Sequence, residues 1–206
     1  GGPYVRNRQY EEAILEYRNA LEHQPNATAV HSKLASAYDA AGEPGKALAS
    51  LAKVAAVDDT DVHANLRVSQ ALLAAARYGE ARDLAERVLR QDPRHVDALT
   101  VVAMAQASTG QSKAAEETLA KAFQIDPKSR SAHLARAAWQ VRDRKFAEGK
   151  ARLQMLVDFH PGAPDAWLAL GSLQWQTGEA DAGGPALPRA LDLTAEKAAL
   201  HRILSL

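Results

Sequence analysis

Histidine is the side chain best suited to metal binding and proton transfer near neutral pH. This chain has seven: His23, His31, His63, His95, His133, His160 and His201. No two of them fall three or four residues apart, so no helical pair is spaced to hold one metal ion. Cysteine is absent, which removes disulfides, zinc–thiolate sites and thiol nucleophiles. Gly183-Gly184 leads into a proline, not into the Gly-Lys-Ser/Thr of a phosphate-binding loop. The adjacent carboxylates Glu11-Glu12 and Asp58-Asp59 lie at predicted element edges or turns, where they read as solvated groups or helix caps. No catalytic set emerges. The expectation is a non-enzyme with no cofactor and no metal.

The composition excludes more. Lys plus Arg total 25 and Asp plus Glu total 25, giving a formal net charge of zero. A nucleic-acid or anionic-membrane surface would need a basic patch or stripe, so no nucleic-acid partner is expected. Hydrophobic residues make up 47% of the chain, yet no apolar run approaches the ~20 residues of a membrane helix. Direct membrane insertion is therefore not expected.

What organises these residues is a period. Pro93, Pro127 and Pro161 are spaced 34 residues apart, and between Val96 and Ser129 the chain reads as two helices joined by a turn at Thr109-Gly110. A period of that length marks stacked helical units. Small residues recur at Ala13, Ala47, Ala81, Ala115, Gly149 and Gly183. An aromatic precedes three of them, at Tyr10, Tyr78 and Phe146. Larger apolar positions follow at Tyr17, Leu51, Leu119, Leu153 and Leu187, with Ala85 in the same column. A third column is Ala20, Val54, Val88, Ala122, Leu156 and Ala190. Spacings of three to four residues put these side chains on one helical face. The small residues permit close approach of helices, and the prolines stop them.

These columns resemble the tetratricopeptide repeat. The fifth unit carries Trp167, Leu170 and Gly171 where that family has its Trp, Leu and Gly, and the second has Tyr78 and Ala81 followed by Pro93. The resemblance implies an all-α fold, a right-handed superhelical solenoid of antiparallel helix pairs. The first helix of each pair would line a concave groove that takes an extended or helical peptide. In this register residues 1–206 form a single array, with a partial unit at 1–27 and complete units at 28–61, 62–95, 96–129, 130–163 and 164–197. The partial unit keeps only the end of its first helix, at Tyr4. In the last unit, Gly183-Gly184-Pro185 and Pro188 predict a second helix that starts late and is short. A capping helix over 194–206 would carry Leu200, Ile203 and Leu204. The missing first helix at residue 1 reads first as a shortened chain; the alternatives are that a partner supplies the lacking surface or that copies self-associate there.

The stripe expected to face the groove runs Ser32, Ser36 and Asp39; Leu66, Gln70 and Leu73; Thr100, Met104 and Ala107; Leu134, Ala138 and Val141; then Leu168, Ser172 and Trp175. Lys33 and Arg67 lie beside it. The binding-site expectation comprises Lys33, Ser36, Leu66, Gln70, Leu73, Thr100, Met104, Leu134, Ala138, Leu168, Ser172 and Trp175. The stripe grows apolar toward the C-terminus, as a protein-binding surface does, and Met with Trp suits an adaptable contact. Repeat co-chaperones that grip a C-terminal carboxylate use Lys, Asn and Arg on consecutive first helices. This stripe lacks the asparagine, so a more apolar peptide is expected.

Three features depart from the pattern. His31 and His133 occupy the column of Trp167 and are expected to be partly buried structural residues. Gln106, Gln140 and Gln174 replace Tyr4, Tyr38 and Leu72, and half-buried amides need partners. Arg136 replaces an apolar residue and needs an acid, a route to water, or a rotated helix. The Ala-rich units and the Asn7–Ala13 opening also resemble bacterial repeat proteins of exopolysaccharide export or envelope assembly. That resemblance implies a bacterial cytoplasmic or periplasmic location, leaning to the envelope. It also offers an alternative role, a spacer or targeting region of a larger protein or enzyme.

Overall fold

A computed structural model describes residues 3–179 and 186–194, with side chains from residue 9 onward. It is all-helical, with no strand among the described residues. Six helices belong to the first of two compact units, residues 1–111. They are α1 (Pro3–His23), α2 (Thr28–Ala40), α3 (Pro44–Val57), α4 (Val62–Ala74), α5 (Tyr78–Gln91) and α6 (Val96–Ser108). The second unit, 112–206, holds α7 (Ser112–Ile125), α8 (Arg130–Arg142), α9 (Phe146–Phe159), α10 (Pro164–Gln176) and α11 (186–194). The expected Gly183-Gly184-Pro185 break and the 194–206 cap, apart from Thr194, fall outside the described residues.

Each unit has its own core. In the first, Leu34, Tyr38, Leu51, Val54 and Val68 bury against one another around Ala47 and Ala64. Ala81, Ala85, Val88, Ala98, Val101 and Val102 form a second cluster. In the other unit Leu153, Leu156, Val157, Leu170 and Leu173 pack with Ala137, Ala166 and Ala186. In the third column Val54, Val88, Ala122 and Leu156 are all fully buried. Burying a Val or Leu side chain contributes ~1.5–3 kcal/mol, so this column is a main source of stability. α5 shows the minimum such a helix needs: Ala81, Ala85 and Val88, spaced four and three apart, are buried.

The first helices end alike. The residues after them, Gly42, Ala76, Gly110, Arg144 and Gly178, all have positive φ, between 59° and 81°. In each case the next N–H donates to the carbonyl five residues back: Glu43 to Tyr38, Arg77 to Leu72, Gln111 to Gln106, Lys145 to Gln140 and Glu179 to Gln174. This is the Schellman closure, in which a left-handed residue turns the chain back on the last helical carbonyls. Glycine takes that conformation freely, whereas an L side chain pays roughly 1–2 kcal/mol. Ala76→Gly and Arg144→Gly are therefore each expected to stabilise the protein by about 1 kcal/mol, read as a raised urea midpoint. Gly110→Ala is expected to lower it.

One expectation fails at the start. The partial unit is expected to keep only the end of a first helix, at Tyr4, but α1 runs unbroken from Pro3 to His23. Arg8 stands at the position equivalent to Gly42 and Arg144 yet continues the helix, whereas Arg144 turns the chain, so residue type at this column does not decide whether the helix stops.

Candidate functional site

In four of the five repeats from residue 28 onward, one column supplies a matching hydrogen bond; the exception is Leu99. His31 Nε2 lies 2.8 Å from the Pro25 carbonyl, His133 Nε2 2.9 Å from that of Pro127, and Trp167 Nε1 donates to that of Pro161 at 2.9 Å. Asn65 Nδ2 donates to the carbonyl of Asp59, at 3.1 Å. In each case a ring or amide nitrogen ties the start of a first helix to the turn six residues before it. Both histidines are buried, and their role is to hold that turn.

His133 is further enclosed by Phe123 and Phe159, whose ring centroids lie 4.9 and 5.6 Å away, both edge-on. Burial lowers its pKa from 6.5, more than the Pro127 carbonyl raises it, and the Arg152 charge lowers it further. The folded protein thus takes up a proton at His133 less readily than the unfolded chain does. The associated stability is intact above pH 6.5 and is lost as the pH falls below that value. His133→Phe should cost roughly 1–2 kcal/mol at neutral pH by stranding the Pro127 carbonyl. It should also flatten the acid loss, as urea titrations at pH values either side of 6.5 would show. An equally steep acid loss in the variant would place the effect elsewhere.

The predicted groove residues divide by unit. In the first, Lys33, Ser36 and Gln70 are exposed, while Leu66, Leu73 and Met104 are half-buried. Leu66 and Leu73 pack on the Ala81–Val102 cluster. Thr100 is buried, its hydroxyl donating to the Val96 carbonyl at 2.9 Å. Asp39 and Arg67 form an ion pair between α2 and α4. The exposed members of this face, Lys33, Ser36 and Gln70, are polar.

In the second unit the face is apolar. Leu168 is 54% exposed and Trp175 70%. They stand seven residues apart on α10 with exposed Ser172 between them, so all three share one face. Beside them Leu134, Ala138 and Val141 of α8, Leu153 of α9, and Ala169 and Ser172 of α10 line a concavity of about 310 Å³. The structure thus brings Leu134, Ala138 and Ser172 together around one hollow. Ala137, Leu153, Ala169, Leu173 and Gln176 also line it but are absent from the sequence-derived set. Their residue types, four of them ordinary apolar ones, carry no signal, because the hollow is assembled from residues of three helices, α8, α9 and α10.

Arg136 stays on its helix without rotating it. Its guanidinium reaches Glu116 at 3.3 Å and lies 4.8 Å from the Trp139 ring centroid. Among the glutamines, Gln140 is buried and donates to Glu148 at 3.2 Å. Among the described residues no group of three or more His, Asp or Glu could hold a metal ion. No described helix is long and apolar enough to cross a membrane.

Models described as tetratricopeptide repeat match residues 4–67, 72–138 and 133–198. Among solved structures, a thermophilic tetratricopeptide-repeat protein of Thermus thermophilus aligns at TM-score 0.65 and 19% identity, over 84% of this chain and 98% of the other. A tetratricopeptide repeat protein from Parabacteroides merdae ATCC 43184 aligns at 0.64 and 15%, over 97% and 83%. A MamA fragment from Desulfovibrio magneticus RS-1 reaches 0.50 at 18%, over 82% and 96%. No curated protein matches the chain.

Proposed function

Because this chain belongs to the tetratricopeptide repeat family, we propose that it is a non-catalytic protein-interaction scaffold holding a peptide or helical segment of a partner on the α8–α10 face. The observation that carries this reading is the exposed pair Leu168 and Trp175 at the edge of the apolar hollow. An exposed apolar patch marks a docking surface. Tryptophan also supplies large contact area at small entropic cost, and it is enriched among residues that dominate binding. The ligand that fits offers apolar side chains to the hollow, with a polar edge toward Ser172 and Gln176.

Capture from the source organism's lysate tests this reading, with Trp175→Ala as the control bait. A protein held by wild type and lost by the control supports it. Equal capture by both moves the site off this face. No capture by either favours the alternative role, a spacer within a larger protein.

A further inference from the structure

Clefts of one kind recur where successive second helices pass over a first helix. In the first unit, Arg18 of α1, Tyr38 of α2, and Lys46, Ala49 and Lys53 of α3 line a cleft of about 270 Å³. Thirty-four residues on, Ala52, Val68, Leu72, Glu80, Asp83 and Arg87 line an equivalent cleft of about 370 Å³. The second unit has a small counterpart bounded by Glu116, Arg136, Gln140 and Glu148.

Their charges differ. In the larger cleft Arg77 is held by Glu80 through bonds of 2.7 and 2.6 Å, and Arg87 donates to the Ala55 carbonyl at 2.8 Å. In the counterpart Arg136 is paired with Glu116, and Glu148 accepts from Gln140. The Arg18 cleft has three cations and no acid among its lining residues. Lys46 pairs with Glu43 at the rim, and Arg18 and Lys53 have no ion pair among the described residues. The Tyr38 ring, with its centroid 5.5 Å from the Lys46 ammonium, forms part of the floor.

We propose that this cleft binds an acidic segment of a protein partner, its carboxylates spaced about three residues apart. Lys46 and Lys53 are seven residues apart on α3, which puts them ~10 Å apart along the helix axis. One small anion cannot touch both. A segment in polyproline II conformation has three residues per turn and rises ~3.1 Å per residue, so carboxylates three residues apart lie on one side, ~9 Å apart, and meet both lysines, while Arg18 faces the segment from α1. Leu34 and Ala49 offer apolar ground for the intervening side chains. A nucleic acid is disfavoured because the chain as a whole is neutral and the unbalanced charge is confined to one cleft. The site involves none of the α8–α10 residues, so the two proposals fail separately.

The test is fluorescence anisotropy with a fluorescein-labelled peptide bearing aspartate at every third residue, titrated with the protein at low and physiological salt. Wild type is expected to bind, more weakly as salt rises. Lys53→Glu and Arg18→Glu should each weaken binding about tenfold or more, the scale on which like-charge juxtaposition acts. The milder Lys53→Gln should show a smaller loss with unchanged circular dichroism, separating lost charge from lost fold. Trp175→Ala should bind as wild type. Absence of binding at low salt, or equal binding by Lys53→Glu and Lys53→Gln, overturns the proposal. So does a loss caused by Trp175→Ala, which would put the peptide on the other face, or tighter binding of a single-stranded DNA probe.

Discussion

Gly171→Ala is expected to lower stability by roughly 2 kcal/mol, the scale of overpacking a tight contact. A Cβ at this position would stand 2.6 Å from Leu187 Cγ, 2.7 Å from its Cδ2 and 3.1 Å from its backbone nitrogen. The side chain alone cannot relieve that crowding, because the backbone nitrogen moves only if α11 moves. Alanine is the better helix former by up to ~1 kcal/mol, so the net loss falls below the full steric cost. Gly171 belongs to a column of small buried residues, Ala35, Ser69, Ala103 and Ala137, and at this last repeat even a methyl group is too large. Urea unfolding checks the magnitude. Leu187→Ala in the same chain should recover part of the loss, as coupled neighbours do. If Gly171→Ala matches wild type, α11 does not pack on α10 as described.

Trp175→Ala should leave the unfolding midpoint nearly unchanged, because the side chain is 70% exposed and surface changes of this kind stay within ~0.5 kcal/mol. Affinity for the partner segment should fall about 30-fold, the ~2 kcal/mol expected when a tryptophan anchor is truncated. Leu168→Ala, on the same face, should show a smaller loss in the same direction. Calorimetric titration of the captured segment into each variant reads both. A Trp175→Ala protein that binds as wild type would remove the anchor from the account.

Much of the fold was legible because burial repeats where residue type repeats. Leu51, Leu119 and Leu153, and Val54, Val88 and Leu156, are apolar at fixed spacing and are all buried. The positive-φ column was legible only at its glycines. Ala76 and Arg144 adopt the same backbone with side chains that disfavour it, because the Schellman bonds and the packing of neighbouring helices outweigh the strain. Their residue types point the other way. The unbroken α1 was missed because apolar spacing announces a helix face and not the lack of a turn within it. Trp139 is buried in a column of Ala37, Ala71, Ala105 and Leu173. It is accommodated beside Arg136, which stacks on it and reaches Glu116, a pairing between helices that no single-helix pattern contains. The apolar drift of the first-helix stripe was readable. Which of its residues share a hollow was not, because the hollow is assembled from residues of three helices.

Whether a partner segment lies on the α8–α10 face is read by site-specific photo-crosslinking. A benzophenone side chain is placed at Ala138, which is exposed and lines the hollow, and in a second protein at exposed Ala151 on α9. On illumination with the captured partner, the Ala138 position is expected to give a covalent adduct that Trp175→Ala abolishes, while Ala151 gives none. An adduct from Ala151 with none from Ala138 would rule out that placement.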